Sequence, residues 1–165
     1  TMSRDELLLA LKAFAKNWLA HDGCWFVAAE ERLGLDAAID LDGRAWRRFA
    51  AAEARRLMEV FAIPPGGGLA ALARALSLRM YAVLNAQHVE WSDEGGTLRF
   101  VMDGCRVQET RRRKGLPDFP CRPVGDIEFS VFARTIDPRI VARCVHCPPS
   151  PNQSGACTWE FTIGA

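Results

Sequence analysis

The sequence has no excess of one charge and no long apolar run, and both absences narrow the range of functions. Its 21 lysines and arginines and 20 aspartates and glutamates leave a formal net charge of +1 at pH 7. A nucleic-acid-binding domain usually carries a strong positive charge, so we expect no nucleic acid partner. A membrane-spanning helix needs about 20 consecutive apolar residues. No segment approaches that length, so we expect no membrane partner either.

Common catalytic and nucleotide-binding motifs are also absent: the sequence has no GxSxG, HExxH, P-loop or GxGxxG pattern. The glycine run at 66–68 follows two prolines, which is typical of a chain break. The basic run at 111–114 predicts a solvated turn or strand end, with a phosphate or carboxylate contact as the alternative. The apolar run at 7–11 is too short for a secretory signal, so we expect a cytoplasmic protein.

Cysteine is the residue type that suggests a specific site. Four of the six cysteines lie in the last third of the chain, and Cys144 and Cys147 form a CxxC between Cys121 and Cys157. This spacing can close a tetrahedral, structural Zn²⁺ site, with His146 as an alternative ligand. Thiols stay reduced in the cytoplasm, which favours metal over a disulfide. A disulfide or redox pair and unligated thiols remain alternatives.

The first half of the sequence predicts three helices. Ser3 and Glu6 form a capping box ahead of apolar residues at helical spacing, which continue to a stop at Gly34. A second long helix is predicted to be capped by Asp42 and to end at the proline and glycine run. A third covers residues 69–84. The apolar positions predict helix faces that pack in a core.

The second half changes to a period of two from His88 onward, which predicts strands. In order, we predict a turn at 93–96, a hairpin of strands 97–102 and 105–110 around Asp103-Gly104, a helix over 127–135, and a final hairpin of strands 139–147 and 157–163. The fold class is therefore α+β, with helices packed on an antiparallel sheet. We predict a single domain over residues 1–165, with a helical part at about 3–87 and a sheet and zinc-site part at about 88–163.

The end of the chain resembles a known family. A CxxC followed by the segment Gly155-Ala156-Cys157-Thr158-Trp159-Glu160-Phe161 is similar to the end of the V4R (4-vinyl reductase) ligand-binding domain. That domain shares its fold with the Bet3 subunits of the TRAPP tethering complex. The resemblance implies a ligand pocket and a structural zinc held by Cys121, Cys144, Cys147 and Cys157. Cys144 stands where bacterial aromatic-effector sensors of this family have a glutamate.

A second resemblance covers nearly the whole chain. Residues 17–23, residues 105–108 and Asp137-Pro138-Arg139 are similar to an uncharacterised bacterial family related to the L-2-amino-thiazoline-4-carboxylate hydrolases. This resemblance implies, as an alternative function, the opening of a thiazoline C–N bond.

The helical aromatic residues suggest where a ligand would bind, because a pocket combines aromatic area with few polar groups. The predicted pocket residues are Trp18, His21, Trp25, Trp46, Phe49 and Glu53. His21 lies between aromatic residues and could titrate near neutral pH, although a satisfied histidine at the core edge is the simpler interpretation. Glu53 could reach the pocket or lie on the surface. Cys105 could be a nucleophile only with a base nearby, whereas Cys24 is predicted to be a small core residue.

These observations predict a domain that binds a small aromatic or heterocyclic molecule and carries a structural zinc. Two alternatives remain: a hydrolase of the aminothiazoline-carboxylate type, with His21, Glu53 and Cys105 as catalytic candidates, and an adaptor subunit without enzymatic activity. A homodimer is also expected. The sequence leaves open whether the protein is an enzyme.

Overall fold

The computed structural model describes residues 2–92, 95–149 and 157–164. Within these ranges the elements follow in the order α1 (Arg4–Leu33), α2 (Leu35–Val60), α3 (Gly68–Leu78), α4 (Met80–Leu84), β1 (Ala86–Trp91), β2 (Thr97–Gly104), α5 (Arg106–Arg113), α6 (Arg122–Ile136), β3 (Ile140–His146) and β4 (Cys157–Ile163). The helices pack on an antiparallel sheet, which confirms the predicted α+β fold. The single-domain organisation stays a prediction. Among the described helices, none has the length and apolar character needed to cross a bilayer.

The sheet has the strand order β1-β2-β4-β3, with antiparallel neighbours throughout. The last strand, β4, therefore enters the sheet between β2 and β3. Trp159 of β4 pairs with Phe100 of β2 on one side and with Cys144 of β3 on the other. The predicted final hairpin is confirmed by this pairing. From residue 150 its predicted loop lies outside the described residues, as do positions 93 and 94 of the predicted β1–β2 turn.

The hairpin predicted around Asp103-Gly104 is wrong, because only its first strand, β2, is present. Residues 105–110, predicted as a strand, contain the N-cap and first turns of α5. Gln108 and Arg111, which lie about one helical turn apart, are the buried residues of this helix. The Gln108 amide bonds both the backbone N–H and the C=O of Phe119. Arg111 bonds Glu30. Gln108 and Arg111 must therefore both face the protein interior, which residues three apart do in a helix but not in a strand.

The basic run at 111–114 lies at the end of α5. It was predicted to be solvated, but this holds for only part of it. Arg111 is buried and donates to both carboxylate oxygens of Glu30 at 2.7 and 3.0 Å. Arg112 makes a similar pair with Asp118. The carboxylate contact that the sequence left as an alternative is therefore present, within the chain itself.

Three of the predicted helices also differ from prediction in their bounds. The second helix begins at Leu35, so Asp42 lies inside it and caps nothing; Gly34, with φ of +85°, ends α1 and precedes α2. The predicted third helix is divided in two because Arg79 is extended, with φ −61° and ψ 151°. The helix predicted over 127–135 is longer and begins at Arg122.

The main core lies between the sheet and helices α2, α3 and α6. Its fully buried large side chains include Leu72, Leu76, Leu98, Phe132, Ile136, Ile140, Trp159 and Phe161. Burying one such side chain contributes about 1.5–3 kcal/mol to stability. Helix α2 faces this core with Ala50 and Ala54, and these small side chains let α2 and α6 approach closely.

The first half of α1 is less buried than its apolar pattern predicts. The capping box at Ser3 and Glu6 is confirmed. Within α1, which the structure describes throughout, Ala15 is the buried residue, whereas Leu9 and Phe14 are 66% and 71% exposed. Apolar residues occur on every face of this segment, so their spacing does not identify the face that packs.

The middle of α1 also departs from prediction. Cys24, expected in the core, is exposed. A Cβ added at Gly23 would meet nothing within 4 Å, so no neighbouring helix packs closely against this glycine. Trp25 is 69% exposed.

Candidate functional site

A cavity of about 440 Å³ lies between the helices and the sheet. Residues of α1, α2, α5 and α6 line it on the helical side, and β2, β4 and the end of β3 close it from the sheet side. The cavity exists because α1 packs on α2 and α4 but leaves a space above the centre of the sheet. Cavities of this size commonly hold small organic ligands.

Aromatic side chains form much of the cavity wall. Its aromatic lining residues are Phe26, Trp46, Tyr81, Phe100, Phe119, Phe129 and Trp159. Trp46 stacks on Tyr81, with ring centroids 5.9 Å apart, and Phe129 contacts Trp159 at 4.7 Å. These contacts fix the rings in place before any ligand arrives.

A buried arginine lies at the inner end of the cavity. Arg79, which is 3% exposed, occupies the break between α3 and α4. Its Nε donates to Glu53 at 2.9 Å, and its Nη2 lies 2.9 Å from Glu53 and 2.7 Å from Glu128. Neither Nη2 contact has hydrogen-bond geometry, so these contacts are ion pairs. Burial alone would lower the pKa of Arg79. The negative charges of Glu128 and Glu53 together have a larger effect in the opposite direction, so the arginine pKa is raised.

Three carboxyl groups from three helices face the same end of the cavity. Burial raises the pKa of Asp42 from 3.8 to about 7, with a further contribution from the charges of Asp22 and Glu128; a hydrogen bond from the Trp46 side chain opposes this. Burial also raises the pKa of Asp22 and of Glu128, although Arg79 counteracts the shift at Glu128. These carboxyls therefore change protonation closer to neutral pH than ordinary acids do.

Two uncharged polar groups line the cavity beside them. Burial, with the nearby Glu128 and Asp22 charges, raises the Tyr81 pKa well above its ordinary value, so the hydroxyl keeps its proton. The Oε1 atom of Gln87 is buried and has no hydrogen-bond partner in the described part of the chain. Its Nε2 donates to the Leu76 carbonyl at 3.3 Å.

The cysteine cluster adjoins the cavity at the sheet. The Cys147 Sγ lies 3.3 Å from the Cys144 Sγ and 3.4 Å from the Cys157 Sγ. The Trp159 indole N–H also donates to Cys157 at 3.2 Å. Cys121 instead accepts a hydrogen bond from Gln108. Among the described residues, no group of three or more histidine, cysteine, aspartate or glutamate side chains is arranged to hold a metal ion.

The predicted pocket residues fall into three groups. Trp46 lines the cavity. Trp18 and Phe49 stack at 5.2 Å behind it and contact Trp46 by their ring edges. His21 and Trp25 are exposed on α1 and do not line the cavity.

The other catalytic candidates also lie outside the cavity lining. Glu53 is buried in its pair with Arg79. Cys105 is half-buried at the N-cap of α5, and burial raises its thiol pKa, which disfavours the nucleophilic thiolate. His146, the alternative zinc ligand, is half-buried at the end of β3.

Sequence reasoning missed the polar residues of the cavity. Asp22 is next to His21, and Asp42 lies four residues before Trp46, so each is placed by the helix that carries a predicted residue. Arg79 is a lone charge between apolar segments, which is a signal for a buried ion pair. Nothing local identifies Glu128 as its partner.

Comparison with solved structures shows that the fold is shared with two ligand-bound proteins. One is a trafficking protein particle complex subunit 3 from Naegleria fowleri covalently bound to palmitic acid, with a TM-score of 0.54 and 8% identity over 95% of this chain and 96% of that chain. The other is the phenol-responsive sensory domain of the transcription activator PoxR with phenol, with a TM-score of 0.54 and 14% identity over 87% of this chain and 73% of that chain. At these identities the likeness shows the fold alone.

Sequence comparison places the chain in a family. No curated protein matches it. A family model described as a family of unknown function (DUF6125) matches residues 1–163. Because this match covers nearly the whole chain, the protein belongs to the DUF6125 family.

Proposed function

We propose that this protein binds a small organic molecule in the cavity between its helices and its sheet. The observation that carries the proposal is a space of about 440 Å³ lined by aromatic rings and by a few polar groups. A protein interior is normally packed without large voids, because each lost contact lowers stability. A space of this size, next to unpaired polar atoms, is therefore expected to have a ligand.

The solved neighbours support the same conclusion. Their structures hold palmitic acid in one case and phenol in the other. Both ligands are small and largely apolar, although they differ in length. An aromatic ligand fits the wall of this cavity, since Trp46, Phe129 and Trp159 offer ring faces and edges.

Binding can be tested by obstructing the cavity. Gly23 is an exposed residue of the cavity lining, and a Cβ added there would meet nothing within 4 Å. We expect Gly23→Trp to reduce the affinity for phenol, benzylamine or palmitate at least tenfold. Gly23→Ala is the matched control, which should bind as the parent does. Calorimetry and the fluorescence of Trp46 and Trp159 report binding. If none of these probes binds saturably, or if Gly23→Trp binds as well as the parent, the proposal fails.

We also propose a structural zinc on Cys121, Cys144, Cys147 and Cys157. Four sulfurs about 2.3 Å from a tetrahedral zinc lie about 3.8 Å from one another. The contacts of 3.3 Å and 3.4 Å that join three of the sulfurs support the proposal. The Cys121 sulfur is bonded elsewhere and would have to turn toward them. Zinc held in this way would connect the end of β3 to β4 and to the start of α6.

Elemental analysis tests the zinc site. Protein purified without chelators should contain about one zinc per chain. Cys147→Ser should lose the metal and lower the midpoint of thermal unfolding, whereas Cys24→Ser, an exposed cysteine on α1, should keep both. Protein with no zinc and two reactive thiols at Cys147 and Cys157 would contradict the proposal.

A hydrolase of the L-2-amino-thiazoline-4-carboxylate type is the second candidate function. The observation that favours it is Asp42, a cavity carboxyl with a pKa raised to about 7. Such a group can donate or accept a proton at neutral pH. Addition of water and cleavage of the ring C–N bond should convert this compound to S-carbamoyl-cysteine, which mass spectrometry detects as a gain of one water and an amine reagent detects as a new primary amine. Equal conversion by the parent and by Asp42→Asn would contradict this role.

A homodimer is the expected assembly. Leu7, Leu9, Leu11 and Phe14 on the first half of α1 are more than half exposed, and apolar residues grouped in this way favour an interface. Light scattering should give twice the chain mass, and Leu11→Glu with Phe14→Glu should give the monomer. A parent protein that is monomeric at all concentrations tested would exclude the dimer.

A further inference from the structure

The charges at the inner end of the cavity are not balanced. Asp22, Asp42 and Glu128 line the cavity there. The cation among them, Arg79, is already paired with Glu128 and with Glu53. Among the described residues that line the cavity, Asp22 and Asp42 therefore have no ion-pair partner, although the charge of His21 acts on Asp22 from outside the lining.

The hydrogen-bonding groups show the same excess of acceptors. In the described part of the chain, Asp22 has no hydrogen bond, and Asp42 accepts one from the Trp46 side chain. A third acceptor, Gln87 Oε1, is fully buried without a partner. A buried acceptor without a donor costs about 1–3 kcal/mol. Gln87 Oε1 is such an acceptor, and the half-buried Asp22 and Asp42 carboxyl groups keep further free acceptor positions in the described part of the chain. The missing donors therefore belong to the ligand.

We propose that the ligand carries a protonated nitrogen, as in an aliphatic amine or an amidinium group, on a small aromatic body. The inference rests on the proposed function and names the chemical class of its ligand. The nitrogen would lie between Asp22 and Asp42 and supply two or three N–H donors. The Trp46 and Tyr81 rings stack at 5.9 Å and already face the Arg79 guanidinium, so the two carboxyl groups and not these rings would recognise the nitrogen.

The charges around Asp42 make this selection effective. Besides burial, repulsion from the Asp22 and Glu128 charges contributes to the raised pKa of Asp42, and a bound cation offsets this repulsion. A neutral hydroxyl compound such as phenol offers one donor and no charge. It leaves at least one of the two carboxyl groups without a partner.

Cations at the mouth of the cavity do not oppose this selection. Lys16, Arg106, Arg113 and Lys114 also line the cavity but are exposed. Arg111 lines it as well and is buried, but its charge is paired with Glu30. Water and salt screen exposed charges within about 10 Å, whereas buried pairs are screened much less. The inner carboxyl groups therefore dominate the binding of a ligand that reaches the end of the cavity.

Two probes of nearly the same shape test the inference: benzylamine, which is protonated at pH 7.5, and benzyl alcohol, which is neutral. In calorimetric titrations of the full chain we expect benzylamine to bind at least tenfold more tightly. Asp42→Asn and Asp22→Asn should each reduce that ratio several-fold while the affinity for benzyl alcohol changes little. Asp126→Asn, an exposed carboxyl on α6 that lies outside the cavity, is the matched control and should leave the ratio unchanged.

The outcomes separate the two proposals. If benzyl alcohol binds as tightly as benzylamine or more tightly, the inference is wrong and the proposed binding function stands. If neither probe binds but phenol or palmitate does, the inference is wrong and the binding function stands. If none of these compounds binds, both are wrong. If benzylamine is preferred but Asp42→Asn and Asp22→Asn keep the full preference while remaining folded, the nitrogen is recognised elsewhere and the inference is again wrong.

Discussion

Replacing Asp42 by asparagine should stabilise the protein without ligand, and more so as the pH rises. The Asp42 pKa is raised from 3.8 to about 7 in the folded chain. Between these values the folded state holds a proton that the unfolded state has released, so the stability of the parent falls as the pH increases. Asparagine cannot ionise and does not have this pH dependence. It can still accept the hydrogen bond from Trp46.

The size of the effect follows from the shift. At 1.36 kcal/mol for each pH unit, the rise in pKa limits the loss of stability to about 4 kcal/mol. We expect roughly half of this, about 2 kcal/mol, because Asp42 keeps some contact with the water in the cavity. Most of the loss should develop between pH 4 and pH 8.

Urea unfolding at pH 4, 6 and 8 measures this directly. The free energy of unfolding of Asp42→Asn, relative to the parent, should rise by about 2 kcal/mol over this range. Asp40→Asn removes an exposed carboxyl that pairs with Arg44 on the same helix. As the control, it should change stability by less than about 0.5 kcal/mol. A difference between Asp42→Asn and the parent that does not vary with pH would refute the reasoning.

Two further substitutions test the packing and the buried ion pairs. A Cβ at Gly125 would lie 2.6 Å from the Trp159 ring, so Gly125→Ala should lower the free energy of unfolding by about 1–3 kcal/mol. Gly23→Ala is the control: its Cβ meets open space, and it should raise the free energy of unfolding by about 0.5–1 kcal/mol. Equal effects of the two substitutions in urea unfolding would contradict the close contact. Arg79→Met should cost about 3–5 kcal/mol at pH 8, because it leaves Glu128 buried without its cation. This loss should be smaller at pH 5 than at pH 8, because burial raises the pKa of Glu128 and a lower pH favours its neutral form. A loss that is the same at both pH values would contradict the ion pair.

The parts of the fold that local chemistry determines could be predicted from the sequence. Ser3 and Glu6 form the predicted capping box, α1 ends at Leu33 before a glycine, and the strands of the final hairpin pair as expected. Each depends on residues close together in sequence, or on an alternating pattern long enough to exclude a helix. The segment at 105–110 was too short for that distinction, and its helix is stabilised by bonds to distant residues.

The polar end of the cavity could not be predicted, because distant parts of the chain form it. Arg79 pairs with Glu53 and Glu128, 26 and 49 positions away. Asp22 and Asp42 come together only because α1 and α2 are antiparallel neighbours. Composition and spacing identified aromatic residues on these helices, of which Trp46 lines the cavity and Trp25 faces solvent. Which face of α1 packs depends on the neighbouring helices.

A crystal structure of the protein with benzylamine tests the central claim most directly. The account predicts density for the probe inside the cavity, with its ring against Trp46 and its nitrogen within about 3.2 Å of a carboxylate oxygen of Asp22 or Asp42. A cavity that contains only water at saturating benzylamine, or a probe bound with its nitrogen toward the mouth, would contradict it.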